Sequence, residues 1–412
     1  MKQARNRLLG LARVGSLLLA LALVISVTGC PPKEKPSPTA TPTPPVTKAK
    51  PAPKGEPIEI GAIFSVTGDI GAPLGDPEKK TVELLVEQVN NNGGVLGRPL
   101  SVTVKDDKSD STEARLAAVD LDENKKVVAI IGPSLTPTTM PVKDYCQQKQ
   151  LPLVSCAAGK VITSPVASYV FAVPQTNTLA ADRIFDYVVS QKINKVALIY
   201  LDNDFGKDGR DNINAIAKQR GVTLVASESF GAKDTDMTAQ LTRIKAKSPQ
   251  AILCWATGPG PAIVTANAKT LGINVPIFQS HGVANLKFIE GARDAANGVM
   301  LPAGRLIVYQ QIPDTDPQKK VLSDFASAYK AKYGADPNTF AGHASDAFWL
   351  VVNAIEKAGS TDRVKVRDAI EATKDFVGTA GIFNYSPTDH NGLTKDAFVW
   401  VKIVDGKWKL EQ

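Results

Sequence analysis

A short apolar run, Val127–Ile131, is closed by Gly132-Pro133 and followed by Ser134-Leu135-Thr136-Pro137. A β-branched run of this length suits a strand buried on both faces, and Gly-Pro ends it. Thr136 is a good N-cap and Pro137 suits the first helical position, so backbone N–H groups near Thr136–Thr138 are left unpaired at the strand's carboxyl end. Such a helix start attracts a carboxylate or phosphate. The next strand, Leu151–Ser155, runs into Cys156-Ala157-Ala158-Gly159, small residues that let a ligand approach main chain on a neighbouring crest. Together these residues suit a binding crevice for an anion. They also suit an ordinary βα turn with a well-capped helix.

Other chemistries find no support in residue spacing. The glycines of Gly68–Gly75 and of Gly258–Pro261 have neither the GxGxxG spacing nor a phosphate-binding lysine, and there is no GxSxG elbow. His281, His343 and His390 are scattered, no HExxH or paired CxxC occurs, and no metal or cofactor is expected. Cys30 directly follows the leader, and of the remaining Cys146, Cys156 and Cys254 at most two can pair. A Cys146–Cys156 bridge is not expected. The first falls late in the proposed helix and the second late in an antiparallel strand after it, near opposite ends of the unit. The chain has 48 basic and 41 acidic residues, and four of the basic ones, Lys2, Arg5, Arg7 and Arg13, lie in the leader. The body is therefore close to neutral, and no basic block interleaved with aromatics points to nucleic acid.

The elements that must position the crevice come in a regular order. Residues 1–29 read as a secretory leader, with a basic start, the apolar core Leu17–Val27 and small residues before Cys30. Residues 30–57 form a tether, with ten of the chain's 28 prolines between Pro31 and Pro57, extended at about 3.1 Å per residue. About 355 residues follow, enough for two lobes. Strand and helix patterns alternate through them: strand Ile58–Phe64, helix Pro73–Asn91, strand Leu100–Lys105, helix Ser111–Glu123, the crevice segment, and strand Tyr169–Val173. A second series has helix Leu179–Ser190, strand Lys195–Tyr200, helix Gly209–Gln219, strand Thr223–Phe230, helix Met237–Lys247, strand Ala251–Trp255, helix Ala262–Leu271 and strand Val275–Phe278. This is the rhythm of an α/β chain with two doubly wound, Rossmann-like lobes.

Several stretches carry a resemblance: IEIGAIFSVTGDIGAPLG, then VNNNGGVLGRPLSVTVKDDKSD, VVAIIGPSLTPTTMPV, FGKDG at 205–209, and KYGADPNTFAGHASDAFWLVVNAIEKAG at 332–359. In these, from Ile58 to the C-terminus, the chain resembles the type I solute-binding proteins of ABC transporters, the leucine/isoleucine/valine-binding family. Val27-Thr28-Gly29-Cys30 is similar to the lipobox of bacterial lipoproteins, which implies a lipid on Cys30 and attachment to the outer face of the cell membrane. The resemblance implies a type I periplasmic-binding-protein fold whose lobes are joined by a three-strand hinge, with 58–173 plus 305–376 in one lobe and 174–303 plus 377–412 in the other. It also implies a monomer that catalyses nothing and hands a small solute to an ABC permease and its ATPases. A sensory receptor controlling a signalling partner is the alternative, and an exported α/β enzyme is a weaker third.

By the same resemblance, Thr136 holds a ligand carboxylate, with Ser134 and Leu135 on the same wall, and Ala157 offers a carbonyl beside Ala158. Gly159 stands where relatives carry a hydroxyl, Phe205 where a tyrosine is common, and Thr257 and Leu74 near two further contacts. His281, in SHGVAN, stands where amino-acid binders place an acid against the ammonium. An imidazole cannot replace a carboxylate there, so either Asp204 or Asp69 supplies the charge or the ligand is an organic acid or amide with an apolar body. Structural roles are expected for His343 and Asp346.

Overall fold

The computed structural model describes residues 51–411. The leader, the tether up to residue 50 and Cys30 lie outside them. A first series comprises β1 (Ile58–Phe64), α1 (Ala72–Asn91), β2 (Leu100–Asp106), α2 (Ser111–Glu123), β3 (Ile130–Ile131), α3 (Thr136–Lys149), β4 (Leu153–Ser155) and β5 (Val170–Ala172). The second continues with α4 (Asn177–Ser190), β6 (Lys195–Leu201), α5 (Asp204–Arg220), β7 (Thr223–Phe230), α6 (Thr238–Ala246), β8 (Ala251–Trp255), α7 (Gly260–Thr270), β9 (Ile277–Gln279), α8 (Leu286–Ala292) and β10 (Met300–Ala303). Three helices, α9 (Lys319–Tyr333), α10 (Thr339–Ala358) and α11 (Arg363–Glu371), precede the hairpin of β11 (Phe376–Val377) with β12 (Ile382–Phe383), then β13 (Val399–Val404) and β14 (Lys407–Glu411).

Two sheets result. The first has the order β2-β1-β3-β4-β5 with every pair parallel. The second has the order β14-β13-β10-β9-β8-β6-β7, parallel except where β13 meets β10 and β14. Both faces of each sheet are covered, which is why their strands read as unbroken apolar runs. Ile60, Ala62 and Phe64 of β1 pack under α1 and α10, while Ile63 packs under α2 and α3. Val196 and Leu198 of β6 face α4 and α5, and Ala197, Ile199 and Leu201 face α6 and α7. Fully burying each Leu or Ile side chain contributes on the order of 1.5–3 kcal/mol.

Some boundaries differ from the sequence reading. β3 is two residues long, not five; ahead of it the Val127 carbonyl accepts from the Arg363 guanidinium at 2.7 and 3.1 Å. β4 is parallel to β3, as the βαβ rhythm implies, since α3 carries the chain back to the same end of the sheet. α5 begins at Asp204, five residues before Gly209, because the Asn203 side chain caps it by accepting from the Gly206 amide at 2.9 Å. Cys146, Cys156 and Cys254 are all free and buried. After α11 the chain stays with the first sheet beyond residue 376: Phe383, Tyr385 and Leu393 share its core, and the Tyr385 hydroxyl donates to the Ala172 carbonyl at 3.1 Å.

Candidate functional site

In each sheet the strand order reverses once among the parallel strands, at β1/β3 in the first and β6/β8 in the second. At such a reversal the two outgoing loops diverge and leave a crevice at the strands' carboxyl ends. Here the two crevices open on one cavity. Leu74 comes from the segment after β1, Ser134–Pro137 after β3, Cys156 and Ala158 after β4, Asn203 and Phe205 after β6, Thr257 after β8, and His281 and Gly282 after β9. Pro174, after β5, and Phe340 and His343, one turn apart on α10, complete the wall. With open solvent at its mouth included, the space between these side chains is about 390 Å³. A wider groove of about 1640 Å³ runs between α1, α8 and α9, but its charged Lys287, Glu290 and Asp336 are exposed.

The anion wall is built by α3. The helix starts at Thr136, with Leu135 rather than Thr136 as N-cap, in an extended conformation and with no side-chain cap. The Thr136 and Thr138 amides therefore have no hydrogen-bond partner among the described residues, and Pro137 has none to offer. The Thr136 hydroxyl accepts from the Gly159 amide at 3.2 Å, tying the β4 crest to the helix start. A side chain at Gly159 has no room, since a Cβ there would lie 2.4 Å from Thr136 Cγ2. The chain reverses into this wall at Gly132, whose φ of +91° and Cβ direction, 2.1 Å from the Ile63 carbonyl, admit only glycine.

Ser134 is committed to the protein. Its hydroxyl accepts from the Ser65 amide at 3.0 Å and donates to Glu78. Burial holds the Glu78 carboxyl well above the usual carboxylate range, against the opposing pull of Ser134. Glu78 on α1 thus anchors the loop after β3 from below.

The rest of the lining is apolar or neutral. Burial pulls the His281 imidazole down to about 4 and that of His343 to about 3, so both are uncharged at neutral pH; the nearby Gln175 backbone opposes the first weakly. Among the described residues, no ring nitrogen of either histidine has a hydrogen-bond partner, and neither has the Thr257 hydroxyl. The His281 ring lies among Phe205, Trp255 and Phe398 with centroids 5.9, 6.2 and 5.6 Å away, and His343 lies 5.9 Å from Phe340.

Of the residues singled out from the sequence, Leu74, Ser134, Leu135, Thr136, Ala158, Phe205, Thr257 and His281 line the cavity together. Ala157, Gly159 and Asp204 do not. Ala157 is buried with its amide turned to Ser155 Oγ, and Gly159 sits behind Thr136. Asp204 and Asp69 are exposed, so neither brings a carboxylate to the cavity, and no Asp or Glu lines it. His281 is buried on the cavity wall. His343 lines the wall instead of packing, while Asp346 is structural, accepting from the Thr379 and Ala380 amides at 2.6 and 2.7 Å. Asn203, Pro174 and Phe340 were not anticipated. The i, i+3 spacing of Phe340 and His343 is the one signal that could have found them.

Comparison with known proteins agrees with this architecture. A family model described as periplasmic binding protein matches residues 57–407. The leucine-, isoleucine-, valine-, threonine- and alanine-binding protein of Pseudomonas aeruginosa is 25% identical over 317 residues, 76% of this chain and 82% of that protein. An extracellular ligand-binding receptor from Rhodopseudomonas palustris HaA2 superposes with a TM-score of 0.81 at 30% identity, covering 87% of this chain and 100% of that one. The branched-chain amino acid transporter substrate-binding protein of Streptococcus pneumoniae, solved in complex with isoleucine, gives a TM-score of 0.75 at 28% identity over 86% and 98% of the two chains.

Proposed function

The chain belongs to the periplasmic binding protein family, and from that premise we propose that it is the extracytoplasmic substrate-binding component of an ABC transporter, capturing a small carboxylate with an apolar body. The family's members bind small molecules and are not enzymes. The lipid on Cys30 and the proline-rich tether would hold the binding body at the outer face of the membrane, within reach of a permease. We assign one lobe to the first sheet with α10, α11 and the β11–β12 hairpin, and the other to the second sheet. The crossings then fall near Val173–Gln175, Leu301–Gly304 and the segment just before β13, later than the 376/377 boundary that the resemblance implies.

The observation that carries this reading is the start of α3 on the wall of an otherwise neutral cavity, with Thr136 lining it and the Thr136 amide free. A carboxylate placed there gains hydrogen bonds and a favourable helix end. The Streptococcus relative holds isoleucine. A zwitterionic amino acid in this cavity would bury an ammonium with no carboxylate to face it, a costly arrangement. An organic acid or amide of similar bulk avoids that cost.

Thermal-shift and calorimetric titration with amino acids and hydrophobic organic acids tests the proposal. A ligand of micromolar affinity, about −8 kcal/mol, is expected, and Thr136→Ala should weaken it about tenfold by loosening the helix start. A broad panel with no such ligand would remove the support for transport.

A further inference from the structure

The carboxylate site leaves one set of groups unused. His281 and His343 are both buried, at 3% and 2% exposure, and all four ring nitrogens lack a partner. The Thr257 hydroxyl beside them is unpartnered as well. An unsatisfied buried polar group costs about 1–3 kcal/mol, and native proteins carry few of them. Five such atoms lie on the wall of one cavity, and a polar ligand group set between the two rings satisfies one nitrogen of each. They also come from opposite bodies: His281 opens the turn after β9 of the second sheet, while His343 is on α10, which packs beneath the first. A group bound between them bridges the two.

What that group must be follows from donor and acceptor counts. A neutral imidazole offers one N–H and one lone pair. Two of them, meeting a single ligand atom, suit a group that both donates and accepts. A hydroxyl does this: it donates to the unprotonated nitrogen of one ring and accepts from the N–H of the other. An ammonium can only donate and brings an uncompensated charge. A second carboxylate can only accept and again buries charge, with no cation on this wall to meet it.

Building on the carboxylate reading of this cavity, we propose that the ligand is a hydroxy acid without an ammonium, its carboxylate at the start of α3 on the Thr136 amide and its hydroxyl between His281 and His343. The apolar body lies among Leu74, Leu135, Phe205 and Phe340. His281 and His343 are then the residues that set specificity, rejecting both the amino analogue and the analogue that lacks the oxygen.

Calorimetry on the full chain, with probes matched in skeleton, tests this. One set is 2-hydroxy-4-methylpentanoate, 4-methylpentanoate and leucine; the other is 4-hydroxybenzoate, benzoate and 4-aminobenzoate. In at least one set the hydroxy acid should bind at least tenfold more tightly than both partners, equivalent to about 1.4 kcal/mol. In His343→Leu and His281→Phe that preference should fall below about twofold while the plain acid still binds, and His343→Gln should recover part of it. The wild-type comparison stands even if a variant fails to fold. If plain acids match the hydroxy acids in both sets, or if leucine or the aminobenzoate binds most tightly, the hydroxyl assignment is wrong although the carboxylate site survives. If no acid of any kind binds, both fall.

Discussion

Asp346 holds together a part of the molecule that the strands do not reach. Its two oxygens take the Thr379 and Ala380 amides, and the Ala380 carbonyl in turn accepts from the Gln175 side chain at 2.6 Å, beside the first crossing. Burial pushes this carboxyl up to about 7 against the pull of the two amides. Asp346→Asn keeps the shape but turns an NH2 group toward one amide donor, so a loss of about 1–3 kcal/mol is expected in urea unfolding with an unchanged slope. The loss also depends on pH. A carboxyl whose folded pKa is raised contributes stability that is full below about pH 4, the unfolded value, and is lost as pH rises through about 7. The variant lacks this dependence, so its deficit should be largest near pH 4 and shrink toward pH 7; a deficit that grows with pH contradicts the assignment. The structural role of Asp346 could be read from the sequence, yet that of its neighbour His343 could not. α10 is buried on nearly every side, so periodicity gives no facing direction along it.

Elements were legible where a strand or helix carries its own signal, and the site was legible where it lies on their ends. The βαβ alternation follows from apolar runs and glycine or proline punctuation, and it pointed to Thr136; Phe205 and Thr257 came from the resemblance, and the three lie on crests of one cavity. Side-chain caps that override propensity were missed, as at Asn203, which starts α5 early and puts Phe205 in its first turn. Spacing also could not show that Gly159 is glycine for want of room beside Thr136. That contact gives an element-level prediction about how β4 and α3 meet. Gly159→Ser, which restores the hydroxyl expected from the resemblance, forces its Cβ into Thr136 Cγ2. It should cost about 1–3 kcal/mol of stability and weaken ligand binding about tenfold. Thr136→Ala removes the opposing methyl, so the double variant should recover part of the stability, with a coupling of at least about 0.5 kcal/mol. Strict additivity in that cycle would show that the two elements do not meet through these side chains.

At the scale of the whole molecule, the cavity exists only while the two sheets are held face to face, and few polar contacts hold them. The Lys160 amide, just after β4 and the Gly159 crest, donates to Asp208 Oδ2 on α5 at 3.0 Å. Asn177 donates to the same oxygen at 2.8 Å and accepts from the Trp255 indole at 3.1 Å, so the acceptor is fixed from the second body before the first reaches it. Nearby, Ile70 ahead of α1 packs against Gly258 after β8, where a Cβ would come within 3.0 Å of the Ile70 backbone. None of this was visible in the sequence, since it depends on how two separately legible halves dock. In a hinged protein such contacts set the fraction of molecules already closed, and apparent affinity scales with that fraction. Removing the Asp208 carboxylate leaves the Lys160 amide unpaired in the closed form and costs nothing in the open one, where water replaces it. A loss of about 1–2 kcal/mol from closure therefore lowers affinity about five- to thirty-fold for Asp208→Ala, even though Asp208 does not line the cavity. Small-angle scattering should show a larger radius of gyration for the unliganded variant than for the wild type, and saturating ligand should bring the two together. An unchanged radius with unchanged affinity would mean that this contact does not govern closure. A lower affinity at an unchanged radius would place Asp208's influence in the geometry of the Gly159 crest rather than in the hinge.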